Sequence, residues 1–207
     1  MSYDNYDPSE LDPYCIPGST CLSNKLGFTD TQALNEAEAE ISSIAMAELE
    51  INPLFGAYDL THLKAIHYYL FNDVYQWAGV ERQTEISKGG QLFLPYKEIP
   101  GKAAEVFSEF HAEANLVGLP KSEFVERAGY YFGIINCIHP FREGNGRVQR
   151  ILFNQLATDA GFAIQWSAIS SEAMANACRK GRTTTPDYRD LIKLFRLNTI
   201  EPDSMPD

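Results

Sequence analysis

Cysteine is scarce in this chain and stands at no spacing that a metal or a redox pair would use. The four residues, Cys15, Cys21, Cys137 and Cys178, include no CxxC pair and no zinc-ligand pattern, so a reduced cytoplasmic setting is the simplest context. Long apolar runs are missing too: none approaches the roughly 18 residues that a transmembrane helix needs. The N-terminus, MSYDNYDPSELDPY, is polar and acidic, the opposite of a secretory signal. Positive charge is in deficit, with 17 Lys and Arg against 28 Asp and Glu and a formal net charge of -11. That balance speaks against direct nucleic-acid binding, which calls for a basic face, and against docking on an anionic membrane.

What is present is material for one helical core. Of 207 residues, 44% are hydrophobic and 12% aromatic, enough for one domain with a sizeable interior. Residues 1–28 are rich in Pro, Gly, Ser, Asp and Tyr without any period and read as an irregular N-terminal arm. Thr29, Asp30, Thr31 and Gln32 form a capping box, and an alanine- and glutamate-rich helix follows to about residue 50. Asp59 caps a second helix, with Leu60, Leu63, Ile66, Leu70 and Val74 at helical spacing. Further helices are expected over about 96–115, 122–138, 146–156, 171–180 and 188–198. In the 122–138 segment Phe124, Ala128, Tyr131, Ile135 and Ile138 form one stripe, while Val125, Phe132 and Ile134 make other faces apolar, which predicts a central, buried helix. Residues 83–94 alone have β character, two short pieces flanking a Lys88-Gly89-Gly90 turn. The pattern is an all-α bundle carrying one β-hairpin.

The chemistry concentrates in CIHPFREGNGRVQR, residues 137–150. Pro140 disfavours a helical His139 and ends the central helix there. Gly144, Asn145 and Gly146 lead into the next helix, whose first N–H groups and positive dipole end make an anion site. Arg147 and Arg150, three apart, can both face a ligand there and suit the phosphates of a triphosphate. Glu143 would repel such a ligand unless Mg²⁺ bridged them, and Mg²⁺ commonly takes one or two carboxylates plus substrate phosphates. His139, with an ordinary pKa of about 6.5, can take a proton from a hydroxyl. Base, metal carboxylate and anion nest together point to phosphoryl or nucleotidyl transfer to an alcohol. Cys137, two residues before His139, falls on a different helix face and reads as structural.

HPFREGNGRVQR resembles the signature of the Fic family, H-x-F-x-[D/E]-G-N-G-R-x-x-R, at every position. DPYCIPGSTCLSNKLG is similar to the N-terminal arm of bacterial Fic toxins, IHYYLFNDVYQWAGVER to the helix and turn before the family's flap, and ISKGGQLF to the flap hairpin. The resemblance implies the Fic fold over residues 29–207, with a core over about 55–198, and transfer of AMP from ATP to a Tyr, Ser or Thr hydroxyl of a protein. It implies that His139 is the general base, Phe141 a buried anchor and Glu143 the Mg²⁺ ligand. Asn145 with the Gly144 and Gly146 backbone would hold the α- and β-phosphates, Arg147 the β-phosphate side and Arg150 the γ-phosphate. Arg142 fills a variable position and receives no role beyond local charge. The flap, residues Ile86, Ser87, Lys88, Gly89, Gly90, Phe93 and Leu94, would pair with an extended target segment by β-augmentation, with Phe93 as a side-chain clamp. The walls of the adenine pocket would come from the helix around 176–180.

The arm and flap are most similar to the compact toxins of toxin–antitoxin pairs, whose targets are ATPase subunits of DNA gyrase and topoisomerase IV. Family members are restrained by a glutamate in the motif [S/T]-x-x-x-E-[G/N], which pairs with the second motif arginine. The nearest match here, Ser122 to Arg127, is incomplete and lies in the central helix, so the inhibitory glutamate is expected on a small separate antitoxin. The Fic domain of a secreted, host-directed effector and a catalytically silent interaction module are the alternatives. A phosphorylating branch that replaces the second glycine by lysine fits less well, because Gly146 is present.

Overall fold

The computed structural model describes residues 12–202, and in it the expected helices close around one central helix. Helix α1 (Thr31–Ile51) is capped by Asp30, whose carboxylate accepts from the Ala33 N–H at 2.8 Å. The capping box expected from Thr29 does not form, and the Gln32 amide turns instead to Glu36 at 2.9 Å. An anionic acceptor one residue later is the stronger cap. Helix α2 (Leu60–Phe71) is capped by Asp59, which accepts from the His62 N–H at 2.8 Å.

The helix expected over 96–115 is shorter. A single turn at Tyr96–Glu98 leads into α3 (Ile99–Ala112). Beyond it Ala114, Asn115 and Leu116 all take positive φ, which no helix continues. Helices α4 (Lys121–Ile138), α5 (Asn145–Asp159), α6 (Ser171–Gly181) and α7 (Arg189–Asn198) complete the bundle.

Helix α4 is the centre. Phe124, Val125, Ala128, Tyr131, Phe132, Ile135 and Ile138 are all buried, and each of the large side chains contributes about 1.5–3 kcal/mol by leaving water. Its most extensive partner is α7, with α3, α5 and α6 on other sides. Gly129 permits that closeness: a Cβ there would lie 2.8 Å from the Ile192 Cα.

Two small sheets decorate the bundle. Strands β1 (Ser87–Lys88) and β2 (Gln91–Leu92) pair antiparallel, with Gly89 and Gly90 both at positive φ in the two-residue turn, as a hairpin of this length requires. A second pair, β3 (Ala163–Ile164) with β4 (Thr199–Ile200), was not expected, since its two dipeptides are too short to show a period and lie far apart in the chain. Among the described residues no helix is long and apolar enough to cross a membrane.

The described part of the N-terminal arm is fastened to the bundle. Tyr14 is buried edge-on against Trp77, with ring centroids 5.3 Å apart, and its hydroxyl accepts from the Gln83 N–H at 3.0 Å. Asp12 pairs with Arg142 at 2.7 Å, which gives that arginine a structural partner unforeseen from sequence. Residues 1–11, the first part of the arm, lie outside the described residues.

Candidate active site

The turn between α4 and α5 is built by its own side chains. His139 follows α4 in the left-handed conformation, φ 48° and ψ 64°, which lifts the imidazole out of the helical path. Its Nδ1–H donates to the Asn136 carbonyl at 3.1 Å. That bond fixes the tautomer and leaves the lone pair of Nε2 free. Phe141 is buried and stacks on His67 with centroids 4.0 Å apart. Asn145 closes the loop with two bonds to one residue, accepting from the Phe141 N–H at 2.9 Å and donating to the Phe141 carbonyl at 2.7 Å. Gly144 stands at φ 80°, and a Cβ there would collide with the Phe71 ring, so both conformation and space call for glycine.

His67, to which sequence reasoning gave no role, ties this loop to the turn before the flap. Its Nδ1 accepts from the Gly79 N–H at 2.8 Å and its Nε2–H donates to the Glu143 carbonyl at 3.1 Å. Burial pushes its pKa down to about 3, so the ring is neutral and both bonds persist at neutral pH.

A cavity of about 540 Å³ opens over the loop, inside the range of roughly 300–1,000 Å³ common for small-molecule sites. His139, Glu143, Asn145, Gly146 and Arg150 line it, and Ile86, Ser87, Lys88, Gly89 and Phe93 of the hairpin form the facing wall. Gly90 and Leu94 stay off it. In a chain of net charge -11, Lys88, Arg142, Arg150, Arg179 and Arg182 surround it against one carboxylate, Glu143. Helix α5 has no side-chain cap, so its first N–H groups remain for a ligand.

The two motif arginines diverge. Arg150 lines the cavity and has no hydrogen bond or ion pair among the described residues, and burial with the nearby Arg147 lowers its pKa. Arg147 turns the other way, onto α1. It donates to Glu38 at 2.5 Å and to the Ser42 hydroxyl at 2.8 Å, with its guanidinium 4.7 Å above the Phe71 ring. Tyr75 donates to the other Glu38 oxygen. The three-residue spacing therefore does not bring both guanidiniums to one ligand here.

Glu143 is half-exposed, and both of its contacts, the Gly144 N–H at 2.9 Å and Arg147 at 3.5 Å, go to Oε1. No group of three or more metal-ligating side chains exists among the described residues. One carboxylate at the edge of an anion nest fits Mg²⁺ held jointly with substrate phosphates, and does not fit an all-protein metal cage.

The hairpin covers the histidine. Phe93 stacks on His139 with centroids 3.7 Å apart and planes 19° apart, and Arg182 sits 4.5 Å above the Phe93 ring. Burial pushes the His139 pKa down to about 3, helped by Arg182, Arg82 and Lys88. At the far end of the cavity Trp166, Ile169, Met174, Ala175 and Cys178 supply an apolar wall. The sequence reading reached only Cys178 and Arg179 of this end; the spacing of Met174 and Cys178, one helical turn apart, was the available signal. Cys137 donates to the Gly181 carbonyl at 3.2 Å, and burial raises its thiol pKa, consistent with a structural residue.

Comparison with known proteins agrees with the fold. The model of the Fic/DOC family matches residues 57–157. Protein adenylyltransferase VbhT of Bartonella schoenbuchensis is 40% identical over 92% of this chain, which spans 39% of VbhT. "Probable protein adenylyltransferase Fic" of Escherichia coli is 38% identical, over 82% of this chain and 84% of its own length. The N-terminal Fic domain of a VirB-translocated Bep effector protein of Bartonella quintana, solved with bound ADP, superposes with a TM-score of 0.86 at 28% identity, covering 92% of this chain and 96% of that one. The residues matched by the family model include the hairpin and most of α5 with the loop before it, and the chain belongs to the Fic/DOC family.

Proposed function

We propose that the chain is a protein adenylyltransferase that moves AMP from ATP to a hydroxyl side chain of a target protein. The observation that carries this is the meeting, in one cavity, of a histidine with a fixed tautomer, an uncapped helix N-terminus and an unpaired arginine. The triphosphate lies along the start of α5, with Arg150 toward the γ-phosphate. The adenine rests at the apolar end, against Trp166 and Met174. A target hydroxyl enters beneath the hairpin, and His139 Nε2 takes its proton as the oxygen attacks the α-phosphorus. The new O–P bond forms as the bond to the β-phosphate oxygen breaks, and pyrophosphate leaves. Glu143, together with the phosphates, would hold Mg²⁺, which would supply charge neutralisation for that leaving group.

Phe93 lies on the face of the His139 ring, and the histidine still lines the cavity. Bringing phosphate charge beside it raises the His139 pKa toward the range where a base works. Arg147 reaches a phosphate only by leaving Glu38; otherwise it braces the start of α5 from behind.

The finer reading is a cytoplasmic toxin. The absence of a complete inhibitory motif and of a counterion for Arg150 among the described residues supports a small separate antitoxin that docks on the N-terminal helices and supplies a glutamate. The expected targets are the ATPase subunits of DNA gyrase and topoisomerase IV. A host-directed effector role is the second reading, favoured by the likeness to a VirB-translocated effector domain. Incubation with α-labelled ATP and either bacterial or host lysate separates the two. Label on a gyrase-sized subunit, lost in His139→Ala, supports the toxin; label on no protein in either lysate overturns AMP transfer.

A further inference from the structure

Arg82 is buried, with 1% of its surface exposed, and the only carboxylate paired with it among the described residues is the half-exposed Glu85 at 3.7 Å. A guanidinium is rarely placed in such surroundings unless its donors are all used. Four of its five N–H groups are used here on main-chain carbonyls from three segments. Nε donates to the His139 carbonyl at 2.8 Å, Nη1 to the Thr84 carbonyl at 2.8 Å, and Nη2 to the carbonyls of Leu94 and, at 3.3 Å, Ile138. Its backbone N–H donates to the Pro140 carbonyl at 2.8 Å.

These bonds complete the accounting for the end of α4, where the last carbonyls of a helix lack intrahelical partners. The His139 N–H takes the Ile135 carbonyl and the Leu94 N–H takes that of Cys137. The His139 Nδ1–H takes that of Asn136. Ile138, His139 and Pro140 are left, and Arg82 serves all three. The same side chain holds Thr84 and Leu94, one on each side of the hairpin, whose closing bond is Phe93 N–H to the Ile86 carbonyl at 3.1 Å.

We infer that Arg82 is a positioning residue that fixes the two roots of the flap to the backbone of the catalytic histidine. Base and flap thereby move as parts of one frame, and a target strand paired to the flap presents its hydroxyl at a set distance from Nε2. A fixed frame is needed because a misplacement of about 1 Å at the reacting atoms costs on the order of a hundredfold in rate. Holding His139 in the left-handed region, which is uncommon for a non-glycine residue, is part of the same task. This inference rests on the reading of His139 as the base.

The test compares Arg82→Lys and Arg82→Gln with wild type and with His139→Ala, all as the full chain. Lysine keeps the charge but not the fork that reaches three segments. Arg82 does not line the cavity, so the Kd for ATP should stay within about twofold while kcat for the protein acceptor falls about 10- to 100-fold. Amide exchange at Phe93 and Leu94 should accelerate in both variants. The charged groups beside His139 are Arg182, Arg82 and Lys88, so Arg82→Gln alone should shift the acid limb of the rate profile to higher pH. Wild-type kcat and unchanged exchange in Arg82→Lys would overturn the positioning role. Loss of the cooperative thermal transition in both variants would also overturn it, placing Arg82 in the fold at large. If His139→Ala retains activity, the base assignment itself is what fails.

Discussion

The catalytic loop and the flap face each other across one cavity but are held by opposite means. In the loop the main-chain groups of His139, Pro140, Phe141 and Gly144 all have partners, Asn145 is bonded twice to Phe141, and His67 grips Glu143 from behind. The flap has strands of two residues each, both residues of β1 exposed, and a glycine turn. Beyond its roots, what holds it to the body is Phe93 lying between His139 and Arg182, with Arg182 reaching the Lys88 carbonyl at 3.4 Å. The fixed half suits chemistry, which tolerates little displacement. The lightly held half suits recognition, because a segment with few buried contacts opens at low cost.

His139→Ala should separate the two halves most sharply. Removing a positioned base should lower AMP transfer by about 10²- to 10⁴-fold, while the thermal midpoint and ATP affinity change little. Turnover within tenfold of wild type would take the base role away from His139.

The two phenylalanines put the comparison on a stability scale. Phe141 is an anchor of the fixed half, 1% exposed, so Phe141→Ala should cost about 3–5 kcal/mol in denaturant unfolding. Phe93 is also buried, yet its partners are the faces of His139 and Arg182, and the hairpin can close over the gap. Phe93→Ala should therefore cost clearly less stability while raising the KM for the protein acceptor. Because burial is the main cause of the low His139 pKa, it should also move that pKa up. Equal losses of stability would mean that the flap belongs to the rigid half.

The contrast between local and long-range structure also decides how much was legible in the sequence. The loop was readable because its parts are adjacent: His139, Pro140, the glycines and the start of α5 fall within one turn of chain. The helices were readable from their periods, and Asp59 from its place before an apolar run. Arg82, 57 positions from His139, drew no role from the sequence, since nothing local announces a buried guanidinium. Glu38, 109 positions from Arg147, sat in an acidic helix where one glutamate looks like the next. The apolar end of the cavity joins residues around Trp166 to α6 by tertiary packing alone.

Arg150 and Arg147 carry the comparison down to two side chains. Arg150 has no protein partner among the described residues, so Arg150→Ala removes interactions with ligand and little else. It should weaken productive use of ATP by about 1.5–3 kcal/mol, the range for hydrogen bonds to charged groups, or roughly ten- to a hundredfold. ADP affinity should fall less, because ADP lacks the γ-phosphate. Equal loss for both nucleotides would remove the γ-phosphate from Arg150.

The last contrast concerns His67, which belongs wholly to the fixed half. Its folded pKa is pushed down to about 3 from 6.5, so above about pH 6.5 both folded and unfolded states hold it neutral and it adds no pH dependence. Between these values the unfolded chain binds a proton that the folded chain refuses. Stability therefore falls as pH drops through that window, by at most about 1.4 kcal/mol per pH unit from this residue. His139, depressed in the same direction, contributes a parallel slope. In His67→Gln the amide can still donate toward Glu143 but cannot titrate. The variant should be less stable than wild type at pH 7.5, and the gap should narrow as pH approaches 4, read from denaturant midpoints at matched ionic strength. A gap that stays constant across that range would mean that the imidazole is protonated equally in both states. It would then not be the neutral link between the Gly79 turn and the Glu143 carbonyl.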